Sequence, residues 1–240
     1  MKKYLILILL TLYLSGCTRK YQFGFLKTDF KIEKKDLIKD KVLSIEIFED
    51  VRINEEENNV HLNKRKIYKG EDGKVCINSE KGYRQPLNYN LTKVTATYMK
   101  RSQLFKNVVY GKKRISDYYV TAKLKNYRTT QEFSKEAHRD AIKRAAVSAS
   151  FGVVGGLIIG RPDEFESYGQ IVIELDEVTL YNKEDELIKK IGLIENKVNG
   201  LFPADSDCWC AYWAAEDNYP KVVEELLKSI ILAIEKSGPN

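Results

Sequence analysis

Cysteine is the residue type whose context says most about chemistry in this 240-residue chain. Cys17 follows a basic start, an apolar run over residues 5–14 and two small residues. A basic segment, an apolar segment and small residues before a cleavage point are the parts of a secretory signal. The apolar run is shorter than the ~20 residues that a membrane-spanning helix needs, which disfavours an anchor helix. The sequence therefore predicts a signal peptide over residues 1–16.

The segment 14–17, Leu-Ser-Gly-Cys, resembles the lipobox of bacterial lipoproteins. The resemblance implies that Cys17 becomes the diacylated first residue of a mature, palmitate-bearing lipoprotein in the bacterial cell envelope. Two or three acyl chains hold a protein on a membrane, because each buried CH₂ contributes roughly 0.8 kcal/mol. In families resembling this one, an aspartate after the cysteine often signals retention in the inner membrane. Thr18 stands there instead, so we expect the periplasmic side of the outer membrane.

Three cysteines remain after lipidation, and in an oxidising periplasm a disulfide is the default expectation. Cys208 and Cys210 lie two residues apart, where extended geometry gives their Cβ atoms little chance of the approach that a disulfide requires. We therefore expect Cys76 to pair with one of them. The alternative is a metal site made of these three thiols and His61, but it lacks the usual spacing of zinc-binding cysteines. We expect no metal and no other cofactor.

The segment 145–160 has an unusual spacing of small residues. At intervals of four come Ser148, Gly152, Gly156 and Gly160. Small residues at this spacing let two backbones approach closely, as in helices that associate inside membranes. Two interpretations stay open: a buried or self-associating segment, or a segment that inserts into the membrane in an oligomer. A phosphate-binding loop is disfavoured, because Arg161 and Pro162 stand where a Walker motif has lysine and a hydroxyl.

The sequence contains no pattern of catalytic residues that we can assign. Neither His61 nor His138 lies in a metalloprotease motif, no nucleophile elbow occurs, and no carboxylate pair stands out from ordinary surface charge. We therefore expect a protein that is not an enzyme, and we identify no small-molecule substrate. The formal net charge of +6 includes two lysines of the signal, so the mature chain is only mildly basic. That balance does not indicate a nucleic-acid partner.

Alternating apolar residues predict the strands of the domain. One strand is expected over 42–51, with Leu43, Ile45 and Ile47 on one face, and another over 117–127. Residues 67–77 read as a weak hairpin. From Ile171 a strand changes parity at Val178, which requires a bulge near Asp176 and Glu177. The strand that starts at Leu187 is expected to pair with it as a hairpin.

Apolar residues at helical spacing predict three helices. Asn90 is expected to cap the first helix, and residues 131–149 are expected to form the first part of the second helix. The third carries a broad apolar stripe over 222–234, with Pro220 in its first turn and Gly238 at its end. A stripe of this width is expected to pack against a sheet.

These elements predict one α+β domain over 41–240 behind a lipidated tether over 17–40. We expect a mixed or antiparallel sheet of about four to five strands, covered by two or three helices. The hydrophobic content of 43% suffices for its core. The order of strand, helix, strand 117–124, glycine-spaced segment, strand pair and final helix resembles small α/β envelope lipoproteins. Examples are the complement-resistance lipoprotein of conjugative plasmids and the curli-secretion and penicillin-binding-protein-activator lipoproteins.

The resemblance implies binding or assembly without catalysis. Our first hypothesis is a periplasmic adaptor, a lipid-anchored module that binds another envelope protein through an exposed sheet edge or the glycine-spaced segment. The second is a structural subunit of an outer-membrane oligomer, in which residues 145–160 insert or self-associate. A lipid-transport auxiliary lipoprotein is the third and weakest hypothesis.

Overall fold

A computed structural model describes residues 38–52, 67–70, 73–78, 83–158, 164–205 and 208–237. The predicted signal peptide and the lipidation site Cys17 lie outside these residues. So do His61 and Gly160.

The described residues form one mixed sheet with helices, which confirms the α+β class. The strands are β1 Val42–Ile45, β2 Glu49–Asp50, β3 Ile67–Gly70, β4 Gly73–Ile77, β5 Asn107–Tyr110, β6 Tyr118–Glu132, β7 Phe165–Asn182 and β8 Leu187–Ala204. The helices are α1 Leu87–Arg101, α2 Lys135–Ile158 and α3 Cys210–Ser237, with a 3₁₀ turn at Lys113–Ile115. The described sheet has eight strands rather than four to five, because the weak hairpin contributes two strands, the segment 42–51 splits into two, and β5 is too short for an alternation pattern to reveal it.

The long strand β6 is the centre of the sheet. Along one side it pairs with β1 and β2 in parallel and with β4 in antiparallel orientation. The short strand β5 lies beyond β1, and the predicted hairpin of β3 and β4 is confirmed. Along its other side β6 pairs with β7, and β7 pairs with β8, both antiparallel. Among the described residues, β8 is therefore the edge strand on one side of the sheet, and β5, β2 and β3 are edge strands on the other.

The predicted bulge in β7 is confirmed. The pairing of β7 with β8 shifts register between Leu175 and Val178, and Glu177 has a left-handed φ of 48°. One extra residue at this point returns the side chains to the same face of the sheet. As a result Leu175, Val178 and Leu180 are all fully buried.

One face of the sheet is covered by α1 and α3, and the core lies between them. The apolar stripe of α3 is buried as predicted, and it comprises Val222, Val223, Leu226, Leu227, Ile230, Ile231 and Ile234. Ile38, which precedes β1, is fully buried in the same core. Most of the apolar surface that stabilises the fold is therefore buried on this one face.

Three local expectations were wrong. The helix α3 begins at Cys210, so Pro220 lies in its interior rather than in its first turn. The helix α1 begins at Leu87, and Asn90 lies in its first turn, where its N–H donates to the Pro86 carbonyl at 3.0 Å. Ile47 is half exposed because the chain leaves the sheet after β1, and Phe48 turns inward in its place.

Candidate functional site

The longest edge strand of the described sheet is β8, with 18 residues. Within the described ranges, β7 is the one strand that pairs with it. At ~3.4 Å per residue its edge is about 60 Å long. About half of its main-chain N–H and C=O groups point away from β7, which makes this edge a template for another strand.

Side chains alternate regularly along β8 from Leu193 to Ala204. On the face toward α3, Ile194 is buried, and Val198 and Phe202 pack against the core. On the opposite face, hereafter the outer face, Leu201 is 64% exposed. Leu193 is exposed on the same face.

A line of charged and polar groups crosses the outer face from β6 to β8. Lys197 Nζ lies 2.8 Å from Glu174 Oε1 and 2.7 Å from Glu195 Oε2. On the other side, the Asn126 amide donates to the Glu174 carboxylate. We call these four residues the charge ladder. It joins three strands by side chains on the face that α1 and α3 leave uncovered.

Hydrogen bonding fixes the charge states of the ladder. Burial alone would raise the pKa of Glu174, but the hydrogen bonds from Lys197 and Asn126 outweigh it and hold that pKa below its usual value. The hydrogen bonds to Glu174 and then to Glu195 raise the pKa of Lys197. At neutral pH the edge strand therefore presents a fixed cation two residues from an anion.

An open groove of about 650 Å³ with both polar and apolar walls lies on the outer face beside the ladder. Its walls are side chains and backbone of β4, β6 and β7, namely Val75, Asn126, Arg128, Thr130, Glu132, Tyr168, Gly169, Gln170 and Val172. Tyr168 is half exposed there and lies opposite Leu201 of β8. The outer face therefore combines polar groups with an exposed aromatic ring next to the open edge.

Gly169 allows a side chain of β6 to contact the end of β8 on the face toward α3. Gln131 donates from Nε2 to the carbonyls of Phe202 and Pro203, at 3.1 and 2.9 Å. A Cβ atom on Gly169, in the intervening strand, would lie 3.0 Å from the Thr130 carbonyl oxygen and 3.1 Å from Phe202 Cδ2. Gly169 thus allows the close packing that positions this end of β8.

The disulfide joins Cys76 of β4 to Cys208, just before α3, with a Cα–Cα distance of 5.1 Å. Both are buried, together with Ala211. Of the two partners left open by the sequence, Cys208 is the one bonded. Because both sulfurs are in the bond, neither is available as a thiolate ligand for the alternative metal site. Within the described ranges, no group of three or more His, Cys, Asp or Glu side chains is arranged to hold a metal ion.

The remaining cysteine of the domain, Cys210, lies in the first turn of α3. Its N–H donates to Asp205 Oδ2 at 3.0 Å. Burial first, and then the charge of Asp205, raise the pKa of the Cys210 thiol to about 12. Cys210 is therefore almost entirely protonated at neutral pH, and a thiol without thiolate character is a poor nucleophile.

Residues 145–158 of the glycine-spaced segment belong to α2, the helix predicted to begin within 131–149 and observed from Lys135. Ser148, Gly152 and Gly156 share one side of this helix by their four-residue spacing, and Gly160 lies outside the described residues. Earlier in the helix, from His138 to Val147, every side chain is at least partly exposed, and Ile142 is 56% exposed. None of the helices in the described part of the chain is both long and apolar enough to span a bilayer.

The described residues thus define an α+β domain with one sheet face covered by helices, one polar sheet face and one long open edge. No family model matches the sequence, and the comparison with curated proteins gives no match. The fold is similar to that of protein XCC0632 from Xanthomonas campestris, described with the family model DUF330. Its TM-score is 0.52 at 11% identity, over 90% of this chain and 96% of that chain.

Two other solved structures give weaker matches. A PelC dodecamer from Paraburkholderia phytofirmans has a TM-score of 0.32 at 6% identity, over 80% of this chain and 92% of that chain. An uncharacterised protein has a TM-score of 0.33 at 16% identity, over 85% of this chain and 97% of that chain. Neither score establishes a shared fold.

Proposed function

We propose that this protein is a lipid-anchored, non-enzymatic binding module of the bacterial envelope, an adaptor that joins another envelope component through the edge of β8. The observation that carries the proposal is the 18-residue strand with a neighbour on one side among the described residues. Adding a strand to such an edge forms main-chain hydrogen bonds, and the exposed side chains on either side supply specificity. The proposed binding surface is therefore main chain, and binding through it requires no catalytic group.

The proposed location rests on Cys17 and the signal-like sequence before it. Acyl chains on Cys17 would tether the domain to the periplasmic side of the outer membrane. Replacing Cys17 by Ala should release the protein from washed membranes and abolish palmitate incorporation. Palmitate incorporation into that variant, or its retention on washed membranes, would contradict the lipid anchor.

The adaptor function is tested by cross-linking in intact envelopes. A photo-reactive amino acid at Asn199, exposed on β8, should give a discrete adduct, because a paired strand would lie within reach. The matched control is the same amino acid at Glu225, exposed on α3. Adducts from Glu225 but not from Asn199 would place the contact surface on the helical face and overturn the proposal.

A second candidate function, a structural subunit of an outer-membrane oligomer, is favoured by the exposure of residues 138–147 of α2. The run from His138 to Val147 buries no side chain, although it includes Ile142 and several alanines. In an oligomer α2 would associate through the side that carries Gly156, where small residues allow close approach. Gly156→Leu should then abolish the assembly while the monomer stays folded. A loss of monomer stability would instead indicate that the segment packs on its own domain.

A further inference from the structure

We propose that β8 pairs with β8 of a second copy of this chain, antiparallel and about a two-fold axis through Asn196. The inference rests on the proposed binding at the β8 edge, and it names a second copy of this chain as the envelope component that binds there. Two sheets would then join into one continuous sheet across two copies. This pairing is supported by the alternation of side chains, the order of charges along the strand and the space at its glycines.

Alternation limits the registers that a symmetric pair can adopt. In an antiparallel pair, residues directly opposite each other point to the same face of the sheet. From Leu193 to Ala204 exposed and inward side chains alternate without a break, so a two-fold axis through any residue of this run keeps polar groups on the outer face. The charges on the outer face therefore decide which of these axes is favoured.

The charges favour the axis at Asn196. An axis through Glu195 would place two carboxylates opposite each other, and an axis through Lys197 would do the same with two ammonium groups. With the axis at Asn196, Glu195 of each copy lies opposite Lys197 of the other. Directly opposite unlike charges stabilise a strand pair, and like charges destabilise it. Moving the axis to Val198 loses the charge pairs, because Lys197 then faces Asn199.

The other residues of the strand fit the same register. Ile194 lies opposite Val198 on the inner face, which continues the apolar layer from one copy to the next. Gly192 lies opposite Gly200, and a Cβ atom on either would meet nothing within 4 Å, so no side chain blocks the approach at these points. Beyond this central run, Lys189 and Pro203 discourage further pairing, as charges and proline commonly do at sheet edges.

The ladder can accommodate the additional charge pairs. Lys197 keeps its contact with Glu174 on its own chain, and its ammonium group has three donors. Its side chain is half exposed, as is that of Glu195, so both can be reached by a second copy. The second copy would add a carboxylate to Lys197 and an ammonium to Glu195.

The test is a charge exchange at the edge of the lipidated full-length protein in detergent, with mass measured by light scattering. The unaltered protein should be a dimer. Glu195→Lys and Lys197→Glu should each weaken self-association by roughly a hundredfold, because each sets like charges opposite each other twice. An equimolar mixture of the two variants should restore a dimer, because all four opposing charges are then unlike. The control, Glu166→Lys on the exposed outer face of β7, should leave the mass unchanged.

A cysteine cross-link tests the register and does not depend on the ladder. The axis places Asn196 opposite its own copy, so Asn196→Cys should form a disulfide-linked dimer under mild oxidation. Asn199→Cys should not, since its copy would lie six residues along the strand, about 20 Å away. Melting temperatures of all variants establish that each is folded.

The outcomes separate this inference from the proposed function. A monomeric unaltered protein, or a mixture of charge variants that does not associate, overturns self-pairing. If photo-cross-linking from Asn199 then yields an adduct with a different protein or with residues 18–37 of the same chain, the edge binds a strand from that source instead. If no adduct forms at Asn199 either, the proposed function fails as well.

Discussion

Two edge strands on opposite sides of the sheet, β5 and β8, differ in length and in what protects them. The edge strand β5 has four residues and packs beneath α1 through the rings of Tyr89 and Tyr110. Gly111 follows it, and its N–H donates to the Ile45 carbonyl at 2.9 Å. The edge strand β8 has 18 residues and a polar outer face. Short, covered edges offer little backbone to another chain, whereas long ones invite pairing. This difference is the basis of our proposal that the protein associates through β8.

The largest effect should come from removing the disulfide, which links Cys76 of β4 to Cys208, just before α3. β4 lies on the β5 side of β6, and α3 covers β8. The double variant Cys76→Ala and Cys208→Ala should lose about 2–5 kcal/mol of unfolding free energy, because the bond constrains a long loop in the unfolded chain. The bonded residues are 132 apart in sequence. Urea denaturation measures the loss. As a control, Cys210→Ala leaves the bond intact and should cost less, and equal losses would contradict the structural role of the disulfide.

The next effect contrasts the interior strand β7 with the edge strand β8. Gly169 and Gly200 lie opposite each other, but a Cβ atom on Gly169 would lie 3.0 Å from a backbone oxygen, while one on Gly200 would meet nothing within 4 Å. Gly169→Ala should therefore destabilise the fold by about 1–3 kcal/mol. Gly200→Ala should be neutral or stabilise by up to about 1 kcal/mol. Equal thermal shifts for the two variants would mean that the interior is as open as the edge.

A smaller effect should appear in the pH dependence of the charge ladder. Because the pKa of Glu174 is lower in the folded state than in the unfolded chain, its ionised form stabilises the fold above the unfolded pKa of about 4.3. That contribution is lost as the pH falls through the lowered folded pKa. Glu174→Gln should lose under about 1 kcal/mol at neutral pH and flatten the acid limb of the stability curve. As a control, Glu166→Gln, at an exposed position on the same strand, should keep the acid limb of the stability curve. An unchanged acid limb in Glu174→Gln would contradict this account.

The sequence predicted the elements better than their arrangement. The parity change at Val178 indicated the bulge in β7, because an inward apolar set cannot cross to the other face without an extra residue. The apolar stripe of α3 was equally clear, but its first ten residues were missed, because Pro220 is typical of a first turn and here lies in the interior. The position of β8 at the edge could not be predicted, because strand order depends on contacts between residues distant in sequence.

The candidate site was only partly predictable for the same reason. An exposed edge was expected, but the contact between Lys197 and Glu174 requires knowledge of the register of β7 with β8. The spacing of Glu195 and Lys197 on one side of an alternating strand was the available signal. The choice between Cys208 and Cys210 likewise depended on where α3 begins, which places Cys210 inside the helix.

The central claim, that β8 rather than β5 is the edge at which this protein associates, is tested most directly by amide hydrogen exchange. The lipidated protein in detergent would be compared with Glu195→Lys at equal concentration. The account predicts that residues 191–201 exchange slowly in the assembled protein and faster in the variant, while residues 107–110 exchange equally in both. Equal exchange of residues 191–201 in the two proteins, or a difference confined to residues 107–110, would contradict it.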